Sequence, residues 1–488
     1  MTSDSSASGL DRRRYLTGLG TALAAGFAGC GGNGGDGGDG GGGDGGDGGG
    51  GDGGGGGGSG PQDLDFWLFG GIPAEREYVS NHYTNYGANN VSYQHKAWGQ
   101  KYQIVASAAA NDSLPDVMAG QNLLIPDFVS AGAIEPLDQE GFQDRLETLN
   151  EPFVDANIQA QMYEGLGDYD EARQWGMPGG YADLGPFIDI RSDYLEQTSF
   201  DRPPRSWPEL IQMGEEMQEI DGVSAAITAP GLDFGLTAGY FIGFVYANGG
   251  RYFDPESLEA TIDQPGFVDA VRLYQQIAEA GLFPDSVAEL NHIEAGRLLR
   301  EGESGIFITY SHANAVYQTT GAPQPWLDGE GHTVTRAPLP DQPSGNFQPN
   351  DLLLQNAQGH TLGTGTASQA EKEAAFDYIG WWNQPAQLEP WTYKTDVGIR
   401  GRVPTLQSAF DEPADLMQSQ FGDLLELYEN DNLFTRTSRF PSFSGLSAVQ
   451  SEINTTILQP VMLGNKTAEE ACSEANSRVQ SIIDENLG

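Results

Sequence analysis

From residue 31 to residue 60 the chain is almost wholly glycine, interrupted by Asp36, Asp39, Asp44, Asp47 and Asp52. Such a stretch has almost no apolar side chain to bury and loses the most backbone freedom on ordering, so it cannot fold by itself. The aspartates repel one another and keep it extended. Residues 31–61 are therefore expected to be a flexible tether, which lets whatever follows roam on the order of 30 Å. A glycine run can also cradle phosphate, but the strand, helix and Gly-Lys-Ser/Thr context that this needs is missing. The tether separates a leader, residues 1–30, from a body of about 420 residues between Leu64 and Leu487. A body of that size exceeds one hydrophobic core, so two lobes are expected.

The leader has a basic start, Arg12-Arg13-Arg14, and an apolar run from Leu19 to Phe27 that stops at Ala28-Gly29-Cys30. That order makes a secretory signal. The run is too short to cross a bilayer, which takes about 20 apolar residues. Arg12-Arg13-x-Tyr15-Leu16 resembles the twin-arginine export signal, which a receptor reads on folded cargo. Phe27-Ala28-Gly29-Cys30 resembles a lipobox, whose cysteine becomes the lipid-bearing first residue of the mature chain. Together these resemblances imply a protein on the extracellular face of the cytoplasmic membrane, anchored through Cys30. Cys472 would then have no partner and no disulfide would form. It lies in a helical pattern with Ala471 and Ala475 and is expected to act as a small buried hydrophobe.

Asp and Glu number 69 against 24 Lys and Arg, a formal net charge of -45. Five of the cations are Lys, so 24 − 5 = 19 are Arg. Self-repulsion opposes compactness at low ionic strength, and concentrated salt screens it. The balance resembles that of proteins from salt-loving organisms, and it excludes nucleic-acid binding, which needs a basic footprint.

Within the body, Leu64–Phe69 reads as a strand, Glu75–Tyr86 as a helix, Asn90–His95 as a strand, Gln100–Ala110 as a helix and Leu114–Ala119 as a strand. This alternation predicts an α/β body with a mainly parallel sheet. Ligands in such sheets sit at the carboxyl ends of strands, which singles out Gly70–Glu75 and Gly120–Asn122 as rim loops. Ser206 with Glu209, Ser368 with Glu371 and Thr467 with Glu470 are capping boxes ahead of amphipathic helices. Asp263 followed by Pro265 starts another helix.

Several ordered fragments resemble the extracellular solute-binding proteins of ABC importers, in the class that includes maltose- and oligosaccharide-binding proteins. They are SLPDVMAG with AGAIEPLD, WGMPGGYADLGPFIDI, RPPRSWPELIQMGEEM, YANGGRYFD, REGESGIFI, APLP and NKTAEEACSEA. The resemblance spans essentially the whole body. It implies a two-lobed periplasmic-binding-protein-like fold with three interlobe crossings, near Pro178, Pro338 and Trp382, and a ligand cleft between the lobes. Lobe one would comprise 62–178 plus 338–381, and lobe two 179–337 plus 382–488. It also implies a monomer that captures a carbohydrate and passes it to ABC permease subunits, with no cofactor and no catalysis.

Sugars present C–H faces and hydroxyl rims, so their sites combine flat aromatic rings with carboxylates, amides and hydroxyls. The candidates are Glu75, Gln121, Asn122, Gln358 and His360 on lobe one. On lobe two they are Tyr181, Asp183, Tyr240, Tyr310, His312 and Trp391, with Arg400 and Arg402 able to make bidentate bonds. The bland alternatives are core packing for Tyr240, Trp67, Trp381 and Trp382, and a plain turn for His360. The family places an aromatic where this chain has Tyr310-Ser311-His312. No Gly-x-Ser-x-Gly elbow and no His-Glu-x-x-His spacing occurs among the six histidines, so neither an acyl-transfer nor a zinc site is signalled. A surface-tethered polysaccharide hydrolase, a binding protein for another small solute and an adhesive lipoprotein stay as rival readings.

Overall fold

In a computed structural model, the residues described are 61–70, 73–232, 236–313, 316–317, 320–321, 334–340, 352–355, 357–366, 368–392, 403–411, 437–439 and 442–487. Arg12, Arg13, Cys30, Arg400 and Arg402 lie outside them. The first part of the body runs β1 (Asp63–Phe69), α1 (Pro73–His82), β2 (Asn90–Lys96), α2 (Lys101–Ala110), β3 (Val117–Gln121), α3 (Ile125–Ser130) and β4 (Ile134–Glu135). Next come β5 (Gly176–Pro178), β6 (Tyr181–Gly185), β7 (Phe187–Arg191), α4 (Trp207–Gln218), β8 (Ile227–Thr228), α5 (Leu236–Ala247), α6 (Pro265–Glu279), α7 (His292–Glu301), β9 (Ile306–Thr309) and β10 (Val334–Pro338). The remainder holds β11 (Leu352–Gln355), β12 (Gln358–Gly363), α8 (Gln369–Trp382), α9 (Pro385–Thr392), β13 (Val403–Pro404), β14 (Thr437–Arg439), α10 (Leu446–Glu452) and α11 (Ala468–Asn486).

The strands form three principal sheets. Sheet one has the order β2-β1-β3-β12-β4, with β5 also on β12; sheet two is β8-β9-β7-β10; a third, β13-β6-β11-β14, lies on the crossings. The expected parallel pairing holds for β1 with β2 and β3. It does not hold for β12, which runs antiparallel to β3 because it re-enters sheet one from the crossing strand β11. Likewise β7 enters sheet two antiparallel to β9 and β10.

The period-2 alternation of β1 explains why sheet one is covered on both faces. Leu64, Phe66 and Leu68 join one apolar cluster with Tyr378, Ile379 and Trp382 of α8. Trp67 and Phe69 join another, with Val105 of α2 and Phe128 of α3. Trp67 and Trp382 are thus core residues, as their surroundings in the sequence suggested. Strand β3 starts at Val117 rather than Leu114, since Pro115 has no N–H to give to a ladder.

The caps follow the sequence closely. Ser206 and Ser368 accept from the Glu209 and Glu371 amides, and Thr467 with Glu470 makes the full reciprocal box. The cap ahead of α6 is Gln264 rather than Asp263. Cys472 is buried on α11, and burial pushes its thiol up to about 12.

Past Trp382 the described chain stays close to sheet one. Leu388 of α9, Val403 of β13 and Leu406 share the apolar cluster of sheet one, and Tyr78 Oη donates to the Gln387 carbonyl at 3.1 Å. Among the described residues, 382–392 and 403–411 therefore pack beside sheet one. Among the described residues after β14, α10 and α11 pack beside α5 and α6.

Candidate functional site

Strand β6 carries the chain from one lobe to the other. Successive side chains alternate across a strand, so Tyr181 and Asp183 share a face while Ala182 and Leu184 take the other. Antiparallel pairing puts Asp183 opposite Gln355 of β11, and Tyr181 opposite Pro404 of β13. Two polar groups are built outward from this strand, one on each lobe.

On the lobe-one side, Tyr181 Oη donates to Glu75 Oε1 at 2.9 Å. Gln358 Nε2 donates to the same oxygen at 3.2 Å. Glu75 sits in the first turn of α1, where the helix dipole favours a carboxylate. Gly70, which ends β1's segment ahead of α1, has a φ of +77° that suits glycine. Glu75 is only 1% exposed. Gln358 opens β12 directly opposite Gln121 at the end of β3, so Gln121 adjoins this group.

Two of the lobe-one candidates are placed differently. Asn122 turns inward: its Nδ2 donates to the Ala160 carbonyl at 3.2 Å, and its own carbonyl accepts from Tyr163 Oη at 2.9 Å. His360 is in the core of lobe one, with Nδ1 3.0 Å from Asn383 Oδ1 and its ring against Phe66 and Trp382. Burial pushes its imidazole down to about 3. It lies two residues beyond Gln358 on the same face of β12, but under α8 rather than at the rim.

On the lobe-two side, Ser311 locks the loop after β9 to β6: its Oγ accepts from the Leu184 amide at 3.0 Å, and its N–H donates to the Leu184 carbonyl at 2.9 Å. That pairing sets His312 beside Asp183, with Nδ1 3.5 Å from Oδ2. His312 Nε2 lies 2.9 Å from Tyr240 Oη. Tyr240 and Tyr310 meet edge to face at 5.0 Å. Tyr310 Oη donates to the Gly239 carbonyl, and its ring fills the space that a Cβ on Gly185 would take. Both tyrosines are packed, buried rings rather than open platforms; for Tyr240 the apolar flank, Phe241 to Val245, leaves that undecided in the sequence.

The sequence reading missed His292. It is the first residue of α7, behind a full Asn291–Glu294 capping box, and its ring stands 6.0 Å from that of His312. Asn-x-x-Glu ahead of an apolar stripe was the available signal. Trp98 was also missed. It is half-buried just past the carboxyl end of β2, packed against Gly70, with Lys101 Nζ 4.2 Å above its ring. Trp391 lies in α9.

Beneath the lobe-two group, Asp189 of β7 is fully buried. Arg336 Nε and Nη2 each donate to it at 2.8 Å, and Tyr317 Oη donates at 2.7 Å. Arg336 Nη1 also reaches the Ser311 carbonyl at 3.4 Å, so the pair braces the loop that carries His312. A small cavity of about 10 Å³ lies between Gly120, Gln121, Asn122, Gln161 and Gly359, room for about one water. Among the described residues no cluster of His, Cys, Asp and Glu could hold a metal, and no helix is long and apolar enough to cross a membrane.

Chemically, the arrangement offers carboxylate acceptors (Glu75, Asp183), an amide (Gln358), imidazoles that can donate or accept (His312, His292) and hydroxyls, all held by second partners. Preorganised, largely desolvated groups of this kind suit a polyhydroxylated solute.

Comparison with known proteins gives three findings. The family described as bacterial extracellular solute-binding protein matches residues 72–389. Among curated proteins, one named as a binding protein from Brucella abortus (strain 2308) is 22% identical over 210 residues, 43% of this chain; the chain spans 47% of that relative's length. Among solved structures, the maltose-bound MalE3 of T. maritima superposes with a TM-score of 0.68 at 19% identity, covering 86% of this chain and 99% of that one. The GacH receptor of Streptomyces glaucescens gives 0.67 at 16% identity, covering 87% and 99%. A ribitol complex of an ABC transporter solute-binding protein from Agrobacterium radiobacter K84 gives 0.68 at 15% identity, covering 86% and 98%. At these identities the superpositions establish the two-lobed fold.

Proposed function

We propose, from the premise that the chain belongs to the bacterial extracellular solute-binding proteins, that it captures a carbohydrate between its lobes and hands it to an ABC permease. The observation that carries this reading is β6, a crossing strand whose Tyr181 and Asp183 are anchored to polar groups on opposite lobes. A ligand between the lobes would meet hydrogen-bonding groups from both. Hinge closure would then bury it. Affinity arises from that burial, with no bond made or broken. The likeness to structures named for maltose and for ribitol supports a polyhydroxylated solute.

The ligand-facing residues in this reading are Glu75, Gln121, Gln358, Tyr181, Asp183, His312 and His292, with Trp391, Arg400 and Arg402 as further candidates. Asn122, Tyr240, Tyr310 and His360 support the walls from behind. Among the described residues, lobe one in this reading comprises 62–178 and 338–411, and lobe two 179–337 with 442–487. The family places the body outside the cytoplasm. Twin-arginine export through Arg12 and Arg13, a lipid on Cys30 and a monomeric state complete the proposal.

The test is a thermal-shift screen of mono-, di- and oligosaccharides and polyols, run in molar salt. Free ligand at a hundred times Kd stabilises by about 2.7 kcal/mol, which raises Tm by about 3 °C for a body of this size. The reading is lost if no such solute shifts the transition, or if a polysaccharide is cleaved.

A further inference from the structure

Away from the crossing strands, the lobes also touch through α3 and the segment leading into α10. The Gly445 N–H donates to Asp127 Oδ1 at 3.1 Å, and Ser130 Oγ stands 3.0 Å from Ser444 Oγ. These partners are more than 300 positions apart in sequence. Gly445 is the N-cap of α10 with φ +87°, a conformation that a residue with a Cβ rarely adopts. Asp127 is 5% exposed. The charged and titratable groups facing it are Lys101 and Tyr102 of α2, and Ser447 of α10 adds a hydroxyl.

We propose that Asp127 is a positioning residue: it forms, with the Ser130–Ser444 pair, a clasp between the lobes that makes closure sensitive to pH. The proposal rests on the two-lobed receptor reading for its purpose, but the clasp itself can be measured without any ligand. Its direction follows from burial. Desolvation between the lobes pushes the Asp127 carboxyl up to about 6, against 3.8 for a free one, although the Gly445 amide and Lys101 pull the other way. Lys101 is pushed down to about 8 by the same burial, so it stays charged below neutral pH. Opening the lobes returns Asp127 to water and lowers its pKa. The closed form therefore binds the proton more tightly. It gains stability as pH falls through 6 and loses it as pH rises. Between pH 7 and pH 5 the closed-to-open ratio should rise about tenfold, one pKa unit being worth a factor of ten.

The experiment is amide hydrogen exchange of the ligand-free full chain in molar salt, at pH 5 and pH 7, corrected for intrinsic rates. In the wild type, protection of the Gly445 amide should be about tenfold higher at pH 5. Asp127→Asn keeps the accepting oxygen and removes the charge, so it should show the high protection at both pH values. Ser444→Ala should lower protection severalfold at both pH values and leave their ratio unchanged. Three results overturn the clasp: equal wild-type protection at the two pH values, a Gly445 amide exchanging at the free-chain rate, or an unaltered pH response in Asp127→Asn, which would assign the effect to histidines elsewhere. Failure of the sugar screen would leave all of these readouts untouched.

Discussion

Replacing Tyr181 with Phe removes one hydroxyl and keeps the ring, which belongs to the apolar cluster of sheet one. That hydroxyl donates to Glu75 Oε1 at 2.9 Å; the donation from Gln358 to the same oxygen, at 3.2 Å, survives. A hydrogen bond to a carboxylate contributes about 1.5–3 kcal/mol. If the group only braces the lobe, the whole loss falls on folding, and Tm drops by about 2–3 °C for a body of this size. If Glu75 also addresses a ligand, the loosened carboxylate must be re-ordered on binding. Affinity then falls by about tenfold for each 1.4 kcal/mol lost. Titration calorimetry with the best solute from the screen, beside a melting curve of the apo variant, separates the two contributions. A Kd within twofold of the wild type together with a lowered Tm would refute the assignment of Tyr181 and Glu75 to the ligand wall.

Arg336→Ala leaves Asp189 buried without its cation, and urea unfolding should show a loss of about 3–5 kcal/mol; Arg336 with Asp189 replaced together should lose less. His360 is held near 3 in the fold, below its ordinary 6.5. The unfolded chain therefore takes up the proton first, and stability present above pH 6.5 is lost as pH falls toward 3, by about 2 kcal/mol between pH 6.5 and pH 5. A His360→Asn variant should lack that part of the acid sensitivity in urea titrations at the two pH values. Raising salt from about 0.1 M to 1 M shortens the Debye length from about 10 Å to 3 Å. With a net charge of -45, Tm should climb across that range, and a flat profile would contradict the self-repulsion argument.

Much of the scaffold was legible along the chain because it is set by neighbours a few residues away. Ser206, Ser368 and Thr467 each cap the amide three positions on, and the alternation in Leu64–Phe69 assigns each side chain to a sheet face. The leader and tether readings are local in the same way, resting on composition alone, and they lie outside the described residues. The site is another matter. Whether Tyr310 would be a platform or a packed ring depended on Gly185, and whether His360 faced a ligand or Trp382 depended on where α8 came to rest. The meeting of Asp183 with His312 required Ser311 to pair with Leu184 on a crossing strand. That of Asp127 with Gly445 required two lobes to touch. Contacts between such distant residues leave no period or spacing in a single sequence. Only folding, by bringing them within hydrogen-bond reach and excluding water, decides which of those side chains meet.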